Sequence, residues 1–212
     1  MTELRYTLLS DGSSDRVLLY VLQWLLHQLV PQVALAPQWA DFRMLPKPPW
    51  SLADRLRVCS DLYPCDLLFV HRDAEGETRE VRVQEIRHAV REVAWPVAPP
   101  PCCVIPVRMQ EAWFLFNEAE RAIRRAAANP NGTVPLEFPP DPEALPNPKK
   151  YLHNLLRSAT GLPERRRRKF NVGTTVHRLA ELIRDYSPLR QLSAFCSMEQ
   201  DLIGVLGQLQ LR

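Results

Sequence analysis

Three short apolar runs, each ending at an acidic turn, constrain this chain more than any other feature. Leu4 to Ser10 runs into Asp11-Gly12-Ser13-Ser14-Asp15. Cys65 to Val70 runs into His71-Arg72-Asp73-Ala74-Glu75-Gly76, and Cys102 to Val107 is followed closely by Glu111-Ala112-Trp113. Continuous apolar runs of this length read as strands buried on both faces, which is the habit of a parallel sheet. Between them lie segments with helical spacing. Val17, Leu18, Val21, Leu22, Leu25 and Leu26 predict a helix, with Ser13 or Ser14 as its cap. A second strand is expected over residues 38–45. Helices are expected near Ser51 to Leu62 and over residues 78–94, the latter with Val81, Ile86, Val90 and Val93 inward. Pro106 suits the end of the Cys102 to Val107 strand, and residues 110–127 are expected to be one helix.

Strands alternating with helices, then helices alone, predict an α/β fold with a parallel sheet flanked by helices and an α-helical C-terminal part. The expected division is a core over residues 1–128, a Pro-rich loop or linker over 129–148 and a helical region over 149–212. The middle segment carries seven prolines, from Pro130 to Pro148, and cannot be a regular helix or a central strand. After it, helices are expected at about 148–160, 174–186 and 188–208. A chain of 212 residues suits one α/β domain, with or without such an appendage.

Composition narrows the function classes. A net charge of +3 does not make the whole chain a basic nucleic-acid binder, but Arg165-Arg166-Arg167-Arg168-Lys169 is a dense local block suited to polyanions. The same block also suits a solvated surface. The five cysteines, with no CxxC pair, argue against a zinc site or a disulfide framework and for reduced thiols in the cytoplasm. The N-terminus lacks a signal-peptide pattern, and the longest apolar stretch, Val17 to Val30, is too short and too polar to span a bilayer. No GxxxxGK[ST], GxSxG or HExxH is present, and His71-Arg72-Asp73 lacks the other signatures of a kinase.

In a parallel sheet, the carboxyl ends of the strands share one edge, where ligands bind. Acids distant in sequence are therefore expected to meet there, and clustered carboxylates call for a proton or a hard cation such as Mg²⁺ between them. Bland readings of the same residues remain open. Asp11-Gly12 also serves as a turn, Asp15 as a first-turn acid, Asp73 and Glu75-Gly76 as loop chemistry, and Glu111 as a helix cap. Lys149 and Lys150 suit phosphate contact and equally suit an exposed first turn. Trp113 reads as core.

An acid and Gly after the first strand, then Asp-x-Asp after a later buried strand, form the Toprim pattern. From about Leu4 to Lys150 the chain resembles small stand-alone Toprim proteins related to OLD-type nucleases of bacterial defence loci. Those relatives also carry a Glu-Ala-Trp-like segment and a Pro-Lys before the helical tail, matched here by Glu111-Ala112-Trp113 and Pro148-Lys149. The resemblance implies a Toprim-like fold and a nuclease in antiviral defence, using Mg²⁺, with Mn²⁺ as the alternative ion. It implies Asp11, Asp73 and Glu111 as catalytic residues, with Asp15 and Glu75 joining them as metal ligands. Lys149, Lys150 and Arg165 to Lys169 would hold nucleic acid, and a partner ATPase or other defence subunit would complete the system. Two departures stand out. Asp11 replaces the usual Glu, and His71 with Arg72 takes the place of the first acid of Asp-x-Asp. They give the alternative expectation of a degenerate Toprim module that binds a partner protein or nucleic acid without cleavage.

Overall fold

The computed structural model describes residues 3–93, 95 and 98–211. Four strands form one all-parallel sheet in the order β2-β1-β3-β4. They are β1 (Glu3–Leu9), β2 (Ala34–Trp39), β3 (Leu67–His71) and β4 (Pro101–Val104). Crossover helices α1 (Leu18–Leu29), α2 (Leu52–Leu62) and α3 (Arg79–Glu92) join them, as parallel strands require. After β4 come α4 (Glu120–Ala126), α5 (Pro148–Ala159), the short α6 (Glu164–Arg167), α7 (Val172–Leu182) and α8 (Ser193–Gln208). The fold class expected from the sequence is therefore present: α/β, with helices on both faces of a parallel sheet, consistent with a Toprim-like fold.

The period-2 geometry of the strands divides the core in two. Leu4, Tyr6, Leu8, Leu67, Phe69, Cys102 and Val104 face the larger cluster, shared with α1, α4, α5, α7 and α8. Leu9, Leu68, Val70, Cys103 and Ile105 face the smaller cluster under α2 and α3. The Pro-rich segment covers the larger cluster, with Leu136, Phe138 and Leu145 packed against it. Glu143 from this segment accepts the backbone N–H groups of Ser193 and Ala194 at 2.9 and 3.0 Å and so caps α8. Among the described residues no helix is long and apolar enough to cross a membrane.

Four local expectations need correction. Ser13 and Ser14 do not cap α1; they lie in a 3-10 turn, Ser13–Val17, that leads into it, and α1 has no side-chain cap. The second strand is Ala34–Trp39, not residues 38–45. As an edge strand holding Pro37, it shows neither alternation nor a continuous apolar run. Residues 110–127 are not one helix. Two 3-10 turns, Gln110–Phe114 and Asn117–Ala119, precede α4. Trp113, Phe114 and Leu115 are all buried, so this stretch has no polar face to give a surface helix. In α3 the buried positions are Val83, Ile86 and Ala89, with Val81 outward.

The strand order reverses at β1, since β2 adds on one side and β3 on the other. That switch point opens a crevice at the carboxyl ends of β1 and β3. Asp11 and Asp15 follow β1, and His71 ends β3 with Asp73 just beyond it. The chain after β4 brings Gln110 and Glu111 to the same edge.

Candidate functional site

A buried imidazole lies at the centre of the crevice. His71 places Nδ1 3.5 Å from Asp15 Oδ2 and Nε2 3.2 Å from Asp73 Oδ1. Its side chain is 2% exposed. Burial alone would push its pKa down, but hydrogen bonding and charge from the two carboxylates prevail and raise it from 6.5 to about 9. With one ring nitrogen bonded to Asp73 and the other facing Asp15, this surrounding favours the imidazolium, a cation between two acids.

Each carboxylate is held by further donors. Asp15 accepts the Gly12 N–H at 2.8 Å, the Ser14 hydroxyl at 2.9 Å and the Gln110 side-chain amide at 2.9 Å. Burial raises its pKa, but His71 and the bonds from Gly12 and Ser14 outweigh burial and hold it below the ordinary value. Asp73 also accepts the Gln110 backbone N–H at 3.0 Å, which pins the chain after β4 to the end of β3. Asp11 faces outward and pairs with Arg55 at 2.6 Å and Arg72 at 2.9 Å. Arg55 also donates to the Ser10 carbonyl.

Glu111 is buried and faces Lys149 at 3.6 Å. Burial raises its pKa, Lys149 opposes this, and the charges of Asp73 and Asp15 add to the rise. Lys149 reaches Glu111 because Asn147 caps α5, accepting the Lys150 N–H at 2.8 Å, with Pro148 opening the helix. Glu75 adopts a left-handed backbone (φ 57°), is largely exposed and lies 3.6 Å from Arg82. Arg82 and Arg72 share Glu85 at 2.9 and 3.0 Å. A pocket of about 310 Å³ opens over Asp11, Asp15, His71, Arg72, Asp73 and Glu75.

The structure thus brings Asp15, Asp73 and Glu111 to one place, with His71 among them. Asp11 and Glu75 stand at the rim, each paired with arginine. Six carboxylates (Asp11, Asp15, Asp73, Glu75, Glu85, Glu111) meet five cations (Arg55, His71, Arg72, Arg82, Lys149). The net charge of the crevice is close to zero.

This donor set does not fit a Mg²⁺ ion. A hard cation needs several free oxygens converging on one point. Here the two ring nitrogens of His71 point at different carboxylates, so no single ion can be ligated by all three side chains. The space between Asp15 and Asp73 is filled by a positive ring. Among the described residues no group of three or more His, Cys, Asp or Glu side chains is arranged to hold a metal ion.

The basic residues form a separate surface. Arg165, Arg166, Arg168 and Lys169 are exposed on and after α6, and Arg167 and Arg168 line a groove of about 410 Å³ with Asn154 and Arg157 of α5. Lys150 is exposed at the start of α5. At 1.5 Å per residue, α5 carries the chain about 12 Å from Lys149 to Arg157. Lys149 and the groove therefore lie toward opposite ends of one helix.

Sequence reasoning missed Gln110, Arg55, Arg82 and Glu85. Gln110 gave one faint signal, a polar residue opening an apolar stretch. The others sit on amphipathic helices and carry no sign of their long-range partners. Comparison of the chain with protein-family models, with curated proteins and with solved structures found no match in any of the three.

Proposed function

We propose that this chain is a Toprim-type module that binds nucleic acid without metal-assisted cleavage, its acidic cluster being neutralised by its own cations. The observation that carries this reading is His71, an imidazolium held between Asp15 and Asp73 where a cation would otherwise be needed. A near-neutral crevice does not repel a phosphodiester as a bare carboxylate cluster would. Arg165, Arg166, Arg168 and Lys169 supply exposed positive charge for backbone contacts with little sequence preference. The sequence carries no ATP-binding P-loop, so any ATP-driven step belongs to a partner such as an ATPase of a bacterial defence locus.

A second reading is a Mg²⁺-dependent nuclease. One observation favours it: Asp15, Asp73 and Glu111 are close enough that the first two raise the pKa of the third. Purified protein is incubated with single-stranded and duplex DNA and RNA in Mg²⁺, Mn²⁺ or EDTA, beside an Asp73→Ala control. The first reading expects binding that weakens with salt and no cleavage in any condition. Cleavage abolished both by EDTA and by Asp73→Ala would establish the second. Replacing Arg165 to Arg168 by Gln should weaken binding to all sequences and flatten the salt slope by up to about 3. Unchanged binding after that replacement would return the block to a solvated surface.

A further inference from the structure

The carboxyl edge of the sheet holds a second pocket, on the side of β1 facing β2, with a volume of about 360 Å³. Trp39, Phe42 and Trp50 give it an aromatic lining, and Arg43 and Arg55 flank it. Asp11 and Gly12 line both this pocket and the acidic crevice, so the two are continuous around one turn.

Trp39 is already engaged. Its indole N–H donates to Ser10 Oγ at 3.0 Å, and the guanidiniums of Arg43 and Arg16 lie 5.1 and 6.0 Å from its ring centre. Trp50 is the opposite case. It is 96% exposed, and it makes no hydrogen bond or aromatic contact among the described residues. Trp is usually well buried, so a bare indole at a pocket rim calls for a partner. Pro48 and Pro49 precede it and restrict the backbone, and Ser51 follows it, accepting the Asp54 N–H at 3.0 Å as the cap of α2. The ring is thus carried on a stiff segment without a core to hold it.

Charge selects the occupant. Around this pocket, among the described residues, the guanidiniums of Arg16, Arg43 and Arg55 stand against the carboxylates of Asp11 and Asp41, an excess of one positive charge. An aromatic surface beside a net positive rim matches a flat base attached to a phosphate. We propose that this pocket receives an unpaired nucleobase, stacked on Trp50, with its phosphate toward the arginines. A strand seated in this way passes the Asp11-Gly12 turn into the acidic crevice. Bases inside a duplex cannot offer a free face, so the preferred ligand is a single strand. This inference rests on the nucleic-acid reading above and names the form of nucleic acid that the site takes.

The test measures fluorescence anisotropy of labelled single-stranded and duplex oligonucleotides with full-length protein in EDTA. Wild type should prefer single strands. Trp50→Ala should lower single-strand affinity by about 5- to 100-fold, the loss of one stacked base, and leave duplex affinity unchanged. Trp50→Phe, which restores an aromatic face, should recover most of the loss. The exposure of Trp50 makes both variants foldable, and circular dichroism checks this. If Trp50→Ala binds single strands as wild type does, while charge removal at Arg165 to Arg168 still weakens binding, the base pocket is overturned and the nucleic-acid reading stands. If wild type binds neither form, the nucleic-acid reading falls and this inference falls with it.

Discussion

Raising the pH through the weakly alkaline range should loosen this protein, and His71 should be the cause. In the folded chain its pKa stands at about 9, against 6.5 for an unperturbed histidine. The folded state therefore binds the proton more tightly than the unfolded state. The stabilisation is fully present below pH 6.5 and is lost as pH rises from there through about 9. A displacement of this size corresponds to about 3 kcal/mol. The group is buried, so solvent does not screen the interaction away. Set against a total stability of about 5–15 kcal/mol for a domain, such a loss is readable. Urea unfolding followed by circular dichroism, repeated across this pH range, supplies the assay. His71→Gln supplies the control, since Gln keeps a donor for one carboxylate but no titratable charge. His153 and His177 have lowered pKa values, so their effect falls on the acid side of 6.5. The raised thiol pKa values of Cys59 (about 12) and Cys103 (about 11) act above the range in question. Wild type should lose stability steeply where the variant is nearly flat. A flat wild-type curve, or an equal fall in both proteins, would refute the reasoning.

His71→Asp should place three carboxylates in contact with no internal cation, lowering the melting temperature in EDTA and creating a site that Mg²⁺ stabilises. Calorimetry should show stronger Mg²⁺ binding than in wild type, and tight binding by wild type that the change weakens would make His71 a ligand or organiser instead. Arg55→Met removes the donor that ties α2 to Ser10 and Asp11 at the end of β1. It should cost about 2 kcal/mol of stability by urea unfolding, and a change near zero would mean that Arg55 is held in place rather than holding.

Strands β1, β3 and β4 could be read from the sequence because each is largely buried and so appears as an unbroken apolar run. The edge strand on the other side, β2, could not, since exposed Ala34 and Pro37 and half-buried Gln38 resemble a loop. The turns after β4 are not legible as turns because Ala112 to Phe116 is an unbroken apolar run, which reads equally as part of a buried helix. The acids of the site were legible, since strand ends in a parallel sheet share an edge and Asp11, Asp15, Asp73 and Glu111 each follow a strand. Their partners were not. The contacts of Arg55 with Asp11, Gln110 with Asp15 and Lys149 with Glu111 span 44, 95 and 38 positions and arise only from packing. His71 was legible as a departure from an acidic pattern. That it fills the gap between two acids as a cation follows only from its buried geometry.

The central claim is that His71 is the resident cation of the acidic cluster. Nitrogen NMR of histidine-labelled protein reads the protonation of both ring nitrogens directly, with an Asp15→Asn variant to assign the His71 signals by their shift. At neutral pH both nitrogens should carry a proton, and millimolar Mg²⁺ should leave them unchanged. A neutral His71 ring would overturn this role, and a ring that releases its proton when Mg²⁺ is added would put a metal ion in place of the imidazolium.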